Sequence, residues 1–382
     1  MKIAFIPSTF LPWHGGAEIQ AHNTANKLAE LGHDVDIFLL DKTKIDNRRY
    51  NTIKLNKLLI NIIFILKYYL RINFNFLLEY YFNKICINKK YDVWHFQSVN
   101  FKTLMYLKVL KQLKQKVVVT FQGADIQKDE GILYGYRFDK KYEDFLSETI
   151  HLFDKVFAIS DDVVKELNFF NFPKEKIIKI PNSIEIKKIK NVGNNNFDPK
   201  KLNIITVARF YEKKKGLDLI EKISNILIKN NINFTWTVVG RNSSLLLEKK
   251  FIKDNQGYFN IEKEIKNPDE IFFPHSDLIK LYKNNNVYVN LARIESFGVT
   301  MIEAIAAGLH VVSFNTKGAN EIIVNNQNGY IVNEYTPEEM ANFLMAKFND
   351  NSFNKINTYK EIMKYDLEVN AKLMLKNYVL LN

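Results

Sequence analysis

The 382-residue chain carries a single cysteine, Cys86, which excludes an internal disulfide and a zinc site of the Cys-x-x-Cys type and points to a reducing compartment. Its few glycines never fall into Gly-x-Gly-x-x-Gly or Gly-x4-Gly-Lys-[Ser/Thr], so neither a nicotinamide dinucleotide site nor a P-loop is supported. A Gly-x-Ser-x-Gly elbow is also missing, which leaves hydrolase readings without a nucleophile. Neither His14 nor His95 has a second histidine at ligand spacing, and Asp34-Val35-Asp36 stands at the start of a strand, the wrong end for a ligand. Long apolar runs are scarce as well. The most hydrophobic stretch, Leu58 to Leu78, is interrupted by Asn61, Lys67, Arg71, Asn73 and Asn75, so a membrane-spanning helix is not expected. Pro7 and Pro12 break the first apolar stretch, and Lys2 to Ile6 reads as a strand rather than a signal peptide.

What remains is an ordinary globular composition, 47% hydrophobic and 25% charged, on a chain long enough for two sizeable cores. Lys+Arg exceed Asp+Glu by 54 − 42 = 12, which permits nucleic acid, anionic lipid or phosphorylated small molecules as partners and selects none of them. The surplus sits on a background rich in Asn, Ile and Lys, as in Asn194-Asn195-Asn196. Short apolar runs alternate with helix-period segments. Strands are expected at 2–6, 35–40, 92–96, 117–121 and 156–160, and again at 204–208, 234–239, 271–273, 287–291, 310–314 and 330–332. The segment 17–31 places Ala21, Ala25, Leu28 and Ala29 on one helix face ahead of Gly32. Strands separated by helices imply parallel crossovers, hence an α/β chain of two doubly wound sheets with ligands at the carboxyl ends of the strands. Val192-Gly193, the Asn run and Asp198-Pro199 mark a linker, which divides the chain into 1–185 and 200–360.

Four clusters could carry chemistry. Gly15-Gly16-Ala17-Glu18 enters the first helix, where glycines let backbone N–H groups approach an anion; a ligand-free tight turn is the alternative. Arg209 and Lys215 leave the first strand of the second half, where two cations can neutralise a diphosphate or form a solvated basic loop. Glu295-Ser296-Phe297-Gly298 through Glu303 crosses a strand-to-helix junction and sets two carboxylates eight positions apart, able to accept from sugar or ribose hydroxyls or simply to cap the helix. Gly318-Ala319-Asn320-Glu321 opens a further helix.

Taken in order, Gly15-Gly16-Ala17-Glu18, Pro181-Asn182-Ser183, Arg209 with Lys215-Gly216, Glu295 through Glu303 and Gly318 to Glu321 resemble the retaining glycosyltransferases of family 4, over nearly the whole chain. The resemblance implies the GT-B architecture: two Rossmann-like domains facing a cleft, and a final helix, about 362–382, crossing back to the N-terminal domain. It implies that Arg209 and Lys215 bind the diphosphate of a UDP- or GDP-sugar and that Glu303 binds the ribose. Glu295 would contact the transferred sugar, and backbone amides around Phe297 and Gly298 the sugar or phosphate. Gly15 and Gly16 would approach the donor from the other domain. Catalysis would rest on Glu295, Arg209 and Lys215, with no metal and no cofactor beyond the donor, because cations and helix N-termini can stabilise a leaving diphosphate. The expected product is a glycan of the cell surface, built on a saccharide or lipid-linked saccharide in the cytoplasm or at the inner membrane face, with no nucleic acid involved.

The chain departs from that pattern at Gln122 of Thr120-Phe121-Gln122-Gly123-Ala124-Asp125, where histidine is usual; an amide can bind a sugar hydroxyl but cannot titrate near neutrality. Asp125, Gln122 and His14 are the expected sugar or acceptor contacts. The segment 56–90, with Leu59, Ile62, Ile63 and Leu66 among lysines, suits either an interfacial helix on an anionic membrane or a buried core helix. Two rival readings are a GT-B-fold nucleotide-sugar epimerase, against which the paired Glu-x7-Glu and Arg…Lys-Gly elements stand, and a non-catalytic binding or scaffolding homologue, which only Gln122 favours.

Overall fold

The apolar runs build two parallel sheets. In a computed structural model, the first sheet holds β1 (Lys2–Pro7), β2 (Asp34–Leu39), β3 (Asn51–Lys54), β4 (Val93–Gln97), β5 (Val117–Phe121), β6 (Lys155–Ala158) and β7 (Ile177–Lys179), ordered β3-β2-β1-β4-β5-β6-β7. The second holds β8 (Leu202–Val207), β9 (Phe234–Val239), β10 (Phe259–Glu262), β11 (Val287–Asn290), β12 (His310–Phe314) and β13 (Gly329–Val332), ordered β10-β9-β8-β11-β12-β13. Every strand pairing within them is parallel. The structure describes residues 1–382 apart from 13–14, 42, 44, 46, 194–197, 199, 211, 264–269, 354–355, 357–358 and 382, with backbone only at 212–213 and 359–360.

Central strands are apolar along their length because helices cover both faces of each sheet: β4 and β5 are buried at every position. In the first unit α1 (Gly16–Glu30), α2 (Lys57–Leu70), α3 (Asn75–Lys89) and α4 (Phe101–Gln112) follow β1, β3 and β4. Asn100 starts α4 with a capping box, accepting from the Thr103 N–H at 3.1 Å while its own N–H donates to Thr103 Oγ1 at 2.8 Å. The order of each sheet reverses direction once, at β1/β4 and at β8/β11, the switch points beside which ligands of such sheets bind at the carboxyl ends.

The chain divides into Met1–Asn182 with Leu367–Asn382, and Ser183–Asp366. The final helix, Leu367–Val379, thus belongs to the first unit. Tyr378 pairs its hydroxyl with His95 Nδ1 at 2.5 Å, and Lys155 Nζ donates to Asn377 Oδ1 at 3.2 Å. Thr120 Oγ1 is 2.8 Å from the other ring nitrogen of His95, whose pKa burial pushes down to about 3, so the ring is a neutral structural pin.

One expected strand is corrected. Ile271–Phe273 forms no strand: the carbonyls of Phe272 and Pro274 accept from the Lys188 ammonium instead of entering a ladder. The sixth strand of that sheet is β10, whose sequence Phe-Asn-Ile-Glu carries only two apolar residues. Just ahead of the expected linker, Ile186–Asn191 is helical with Ile186 and Ile189 buried.

Candidate functional site

In the second unit the loops leaving β8 and β11 are held against each other. Gly216 (φ +65°) is the point of closest approach: a Cβ there would lie 2.0 Å from the Leu291 carbonyl oxygen. Around it the Arg293 N–H donates to the Lys214 carbonyl at 2.9 Å, and the Arg293 guanidinium grips Asp218 through two bonds of 2.9 and 2.8 Å. Tyr335 donates to the Leu291 carbonyl at 2.8 Å. The outcome is a direct contact between two residues singled out in the sequence: Lys215 Nζ donates to Glu295 Oε2 at 2.5 Å. Burial would push the Glu295 carboxyl up, but the Lys215 and Lys214 charges, with hydrogen bonds from Lys215 and the Phe297 N–H, hold it below the usual carboxylate range. Arg209 emerges from β8 and is exposed, on a segment fixed by Ala208 N–H to the Val239 carbonyl (2.9 Å) and Phe210 N–H to the Arg241 carbonyl (2.8 Å). Lys214 is buried enough to push its ammonium pKa down, with the Arg209 charge adding to the effect and Glu295 opposing it.

Beyond Glu295 the chain turns into the helix Val299–Ala306. Gly298 makes the turn at φ +99°, a left-handed conformation in which its missing Cβ leaves room for the Met301 methyl. Gly318 packs so tightly on the same loop that a Cβ would meet the Phe297 carbonyl oxygen at 2.5 Å, and its N–H donates to the Glu295 carbonyl at 2.8 Å. The Phe297 ring is buried against Tyr365, 5.8 Å between centroids. Glu303 lies one turn into the helix and is 5% exposed, with Oε2 accepting from the Tyr282 hydroxyl at 2.8 Å. Burial pushes its carboxyl up to about 7 against the pull of that hydrogen bond and of Lys188. The site therefore offers a carboxylate pinned as an anion, Glu295, and a second one poised between states, Glu303, next to three cations. Such a set can neutralise a diphosphate and accept from sugar hydroxyls.

Several of these residues escaped the sequence reading. Arg293, Asp218, Tyr282 and Lys188 act by pairing with residues far along the chain, which no local pattern reveals. Gly240 had a usable signal, a glycine directly after a strand: at φ +148° a Cβ would lie 2.1 Å from the Ala208 carbonyl oxygen, so it sets the exit of β9 against that of β8.

In the first unit, Gly15 is the cap residue of α1 in extended conformation, and its carbonyl accepts from Ile19 N–H at 3.0 Å. Nothing described lies within 4 Å of where a Cβ would stand on exposed Gly16, so the described packing does not itself demand glycine there. His14 lies outside the described residues. Gln122 is engaged in a reciprocal amide pair with Asn182, at 2.9 and 3.2 Å. Asp125 is one of the residues expected as a sugar contact. It is fully buried, and its carboxylate accepts from the N–H groups of Gln122 (2.9 and 3.2 Å), Gly123 (2.9 Å) and Val99 (3.2 Å), tying the loop after β5 to the loop after β4. No face of it is open to a ligand.

Two consecutive doubly wound units, with charged loops at the switch point of the second, define the GT-B class. Residues 187–365 match the family described as glycosyl transferases group 1, and residues 14–188 match glycosyltransferase family 4. The chain belongs to glycosyltransferase family 4. It is 26% identical over 250 residues to the capsular polysaccharide biosynthesis glycosyltransferase CapM of Staphylococcus aureus, a match covering 62% of this chain and 61% of that protein. Among solved structures, a glycosyltransferase from Rickettsia africae superposes with a TM-score of 0.73 at 20% identity, covering 99% of this chain and 98% of the other. Anabaena HepE in complex with UDP and glucose superposes with a TM-score of 0.70 at 14% identity, covering 99% of both chains.

Proposed function

We propose that the protein transfers a sugar from a nucleoside-diphosphate sugar to a hydroxyl of a saccharide or lipid-linked saccharide during assembly of a surface polysaccharide, with retention of anomeric configuration. The observation that carries this reading is the Lys215–Glu295 pair, 2.5 Å apart between the exits of β8 and β11, with Arg209 on the adjoining loop. Family membership supplies the reaction class, CapM the polysaccharide setting, and the UDP complex of HepE supports uracil as the base.

In this reaction the bond from the anomeric carbon to the diphosphate oxygen breaks, and a bond to the acceptor oxygen forms on the same face of the sugar. The departing diphosphate takes the acceptor proton. Arg209 and Lys215 neutralise its growing charge, a contribution that increases as the bond lengthens and so lowers the barrier. Glu295 accepts from hydroxyls of the transferred sugar and Glu303 from the ribose. The N–H of Gly298, at the turn into the helix Val299–Ala306, presents a further donor to the phosphates and sugar. Gln122, whose amide is paired with Asn182, presents no titrating group at that position.

Incubation with UDP- and GDP-sugars and a panel of saccharide acceptors tests the proposal. Nucleoside diphosphate should be released only with acceptor present, and the product's anomeric proton coupling should match the donor's. A donor sugar epimerised without acceptor, or an inverted product, contradicts it.

A further inference from the structure

The hairpin of α2 and α3 wears its apolar residues on the outside. Ten of the twenty large hydrophobic residues exposed among the described residues fall between Leu58 and Ile87. On α2 the exposed stripe is Leu58, Ile62, Ile65 and Tyr69, spaced 4, 3 and 4, which is one face of a helix with no charge on it. Two polar residues further along the same helix turn inward: Asn61 accepts from Lys102 at 2.8 Å, and the Lys67 ammonium sits 4.4 Å from the centre of the Phe145 ring. Both helices are anchored on α4, through Phe64 against Phe101 and Phe82 against Tyr106, so the exposed stripes face away from the domain. At the turn, Leu70, Ile72, Phe76 and Leu77 are exposed around Arg71.

We infer that this hairpin docks the protein on an anionic lipid bilayer, with the apolar stripe and tip entering the acyl boundary and the surrounding cations meeting the headgroups. Residues 54–90 hold seven Lys or Arg (54, 57, 67, 71, 84, 89 and 90) against one acid, Glu79. Lys54, Arg71, Lys84 and Lys90 are exposed. A partner must therefore be apolar in its interior and negative at its rim, which describes such a bilayer. A second copy of the chain is disfavoured, since pairing this face with itself opposes like charges. No helix among the described residues is long and apolar enough to cross a membrane. The inference does not depend on the donor site.

Flotation with vesicles of phosphatidylglycerol and phosphatidylcholine tests it, run beside pure phosphatidylcholine. The wild type should float with the anionic vesicles, with binding weaker by about tenfold or more on neutral vesicles or in the Arg71→Glu/Lys84→Glu variant. Ile62→Gln/Ile65→Gln should not float. Both double variants alter exposed side chains only, and their thermal unfolding and their thermal shift with UDP-glucose should match wild type. Absence of wild-type flotation overturns the inference, as does equal flotation of every variant. So does a wild-type dimer that fails to float and that Ile62→Gln/Ile65→Gln dissociates, which would assign the face to a second copy.

Discussion

Lys215 and Glu295 show what a residue pattern can and cannot convey. Their types and neighbours identify them, but only the fold shows that they touch, and that contact sharpens the prediction. Removing Lys215 takes a cation from the diphosphate and leaves Glu295 without its counter-charge, so Lys215→Ala should weaken nucleotide-sugar binding by about 2–5 kcal/mol. Glu303→Ala should weaken it less, since Glu303 shares its load with Tyr282. Isothermal titration with the preferred UDP-sugar compares the two, and equal affinities in both variants and wild type would contradict the site. Glu303 also predicts a pH dependence. Its carboxyl titrates near 7, and the anion is the better hydroxyl acceptor, so affinity should fall as pH drops below about 7, by at most about tenfold per unit. Glu303→Gln should bind more weakly with a flat profile. Asp125, by contrast, supports the fold: Asp125→Ala strands three buried N–H donors and should cost about 3 kcal/mol or more in unfolding free energy. Burial raises its pKa from 3.8 to about 6, with hydrogen bonds from Ser98, Gln122 and Val99 opposing. The native state thus holds this proton more tightly than the unfolded chain. The resulting stabilisation is present at low pH and lost as pH rises from 3.8 to about 6, a slope that Asp125→Asn should lack.

Elements were legible where burial on both faces forces an apolar run. β1, β5, β9 and β12 coincide with the runs at 2–6, 117–121, 234–239 and 310–314 to within a residue. Of the four edge strands only β13 was expected, at 330–332: β3 and β10 carry too few apolar residues to stand out, and β7 is three residues long. Ile271–Phe273 misled for the opposite reason, an apolar triplet whose neighbouring carbonyls are taken by a lysine 84 and 86 positions away. The glycines belong to this scale because they set how closely one loop approaches the next. Gly216→Ala must push Leu291 and Tyr335 aside and should cost about 1–3 kcal/mol, seen as a lower Tm. It should also weaken donor binding, since the same contact brings Lys215 to Glu295. A Gly216→Ala protein with wild-type Tm and affinity would show that the β8 and β11 exits do not depend on that approach. Gly16→Ala should leave Tm unchanged, because the described packing does not fill that space.

For the whole molecule, family 4 membership and the paired parallel sheets follow from motifs distributed along most of the chain, and those motifs survive a sequence otherwise saturated with Asn, Ile and Lys. Which acceptor is used was never legible, because no motif in the chain specifies it. The account rests on a nucleotide-sugar site at the carboxyl ends of β8 and β11, and the most direct measurement is a thermal-shift panel of UDP- and GDP-sugars on wild type, Arg209→Ala and Lys215→Ala. Ligand at 100 times its Kd adds about 2.7 kcal/mol, a rise of several degrees for units of this size. The account predicts that rise for UDP-sugars on wild type and its loss in both variants. An equal rise in all three proteins, or none with any nucleotide sugar, would contradict it.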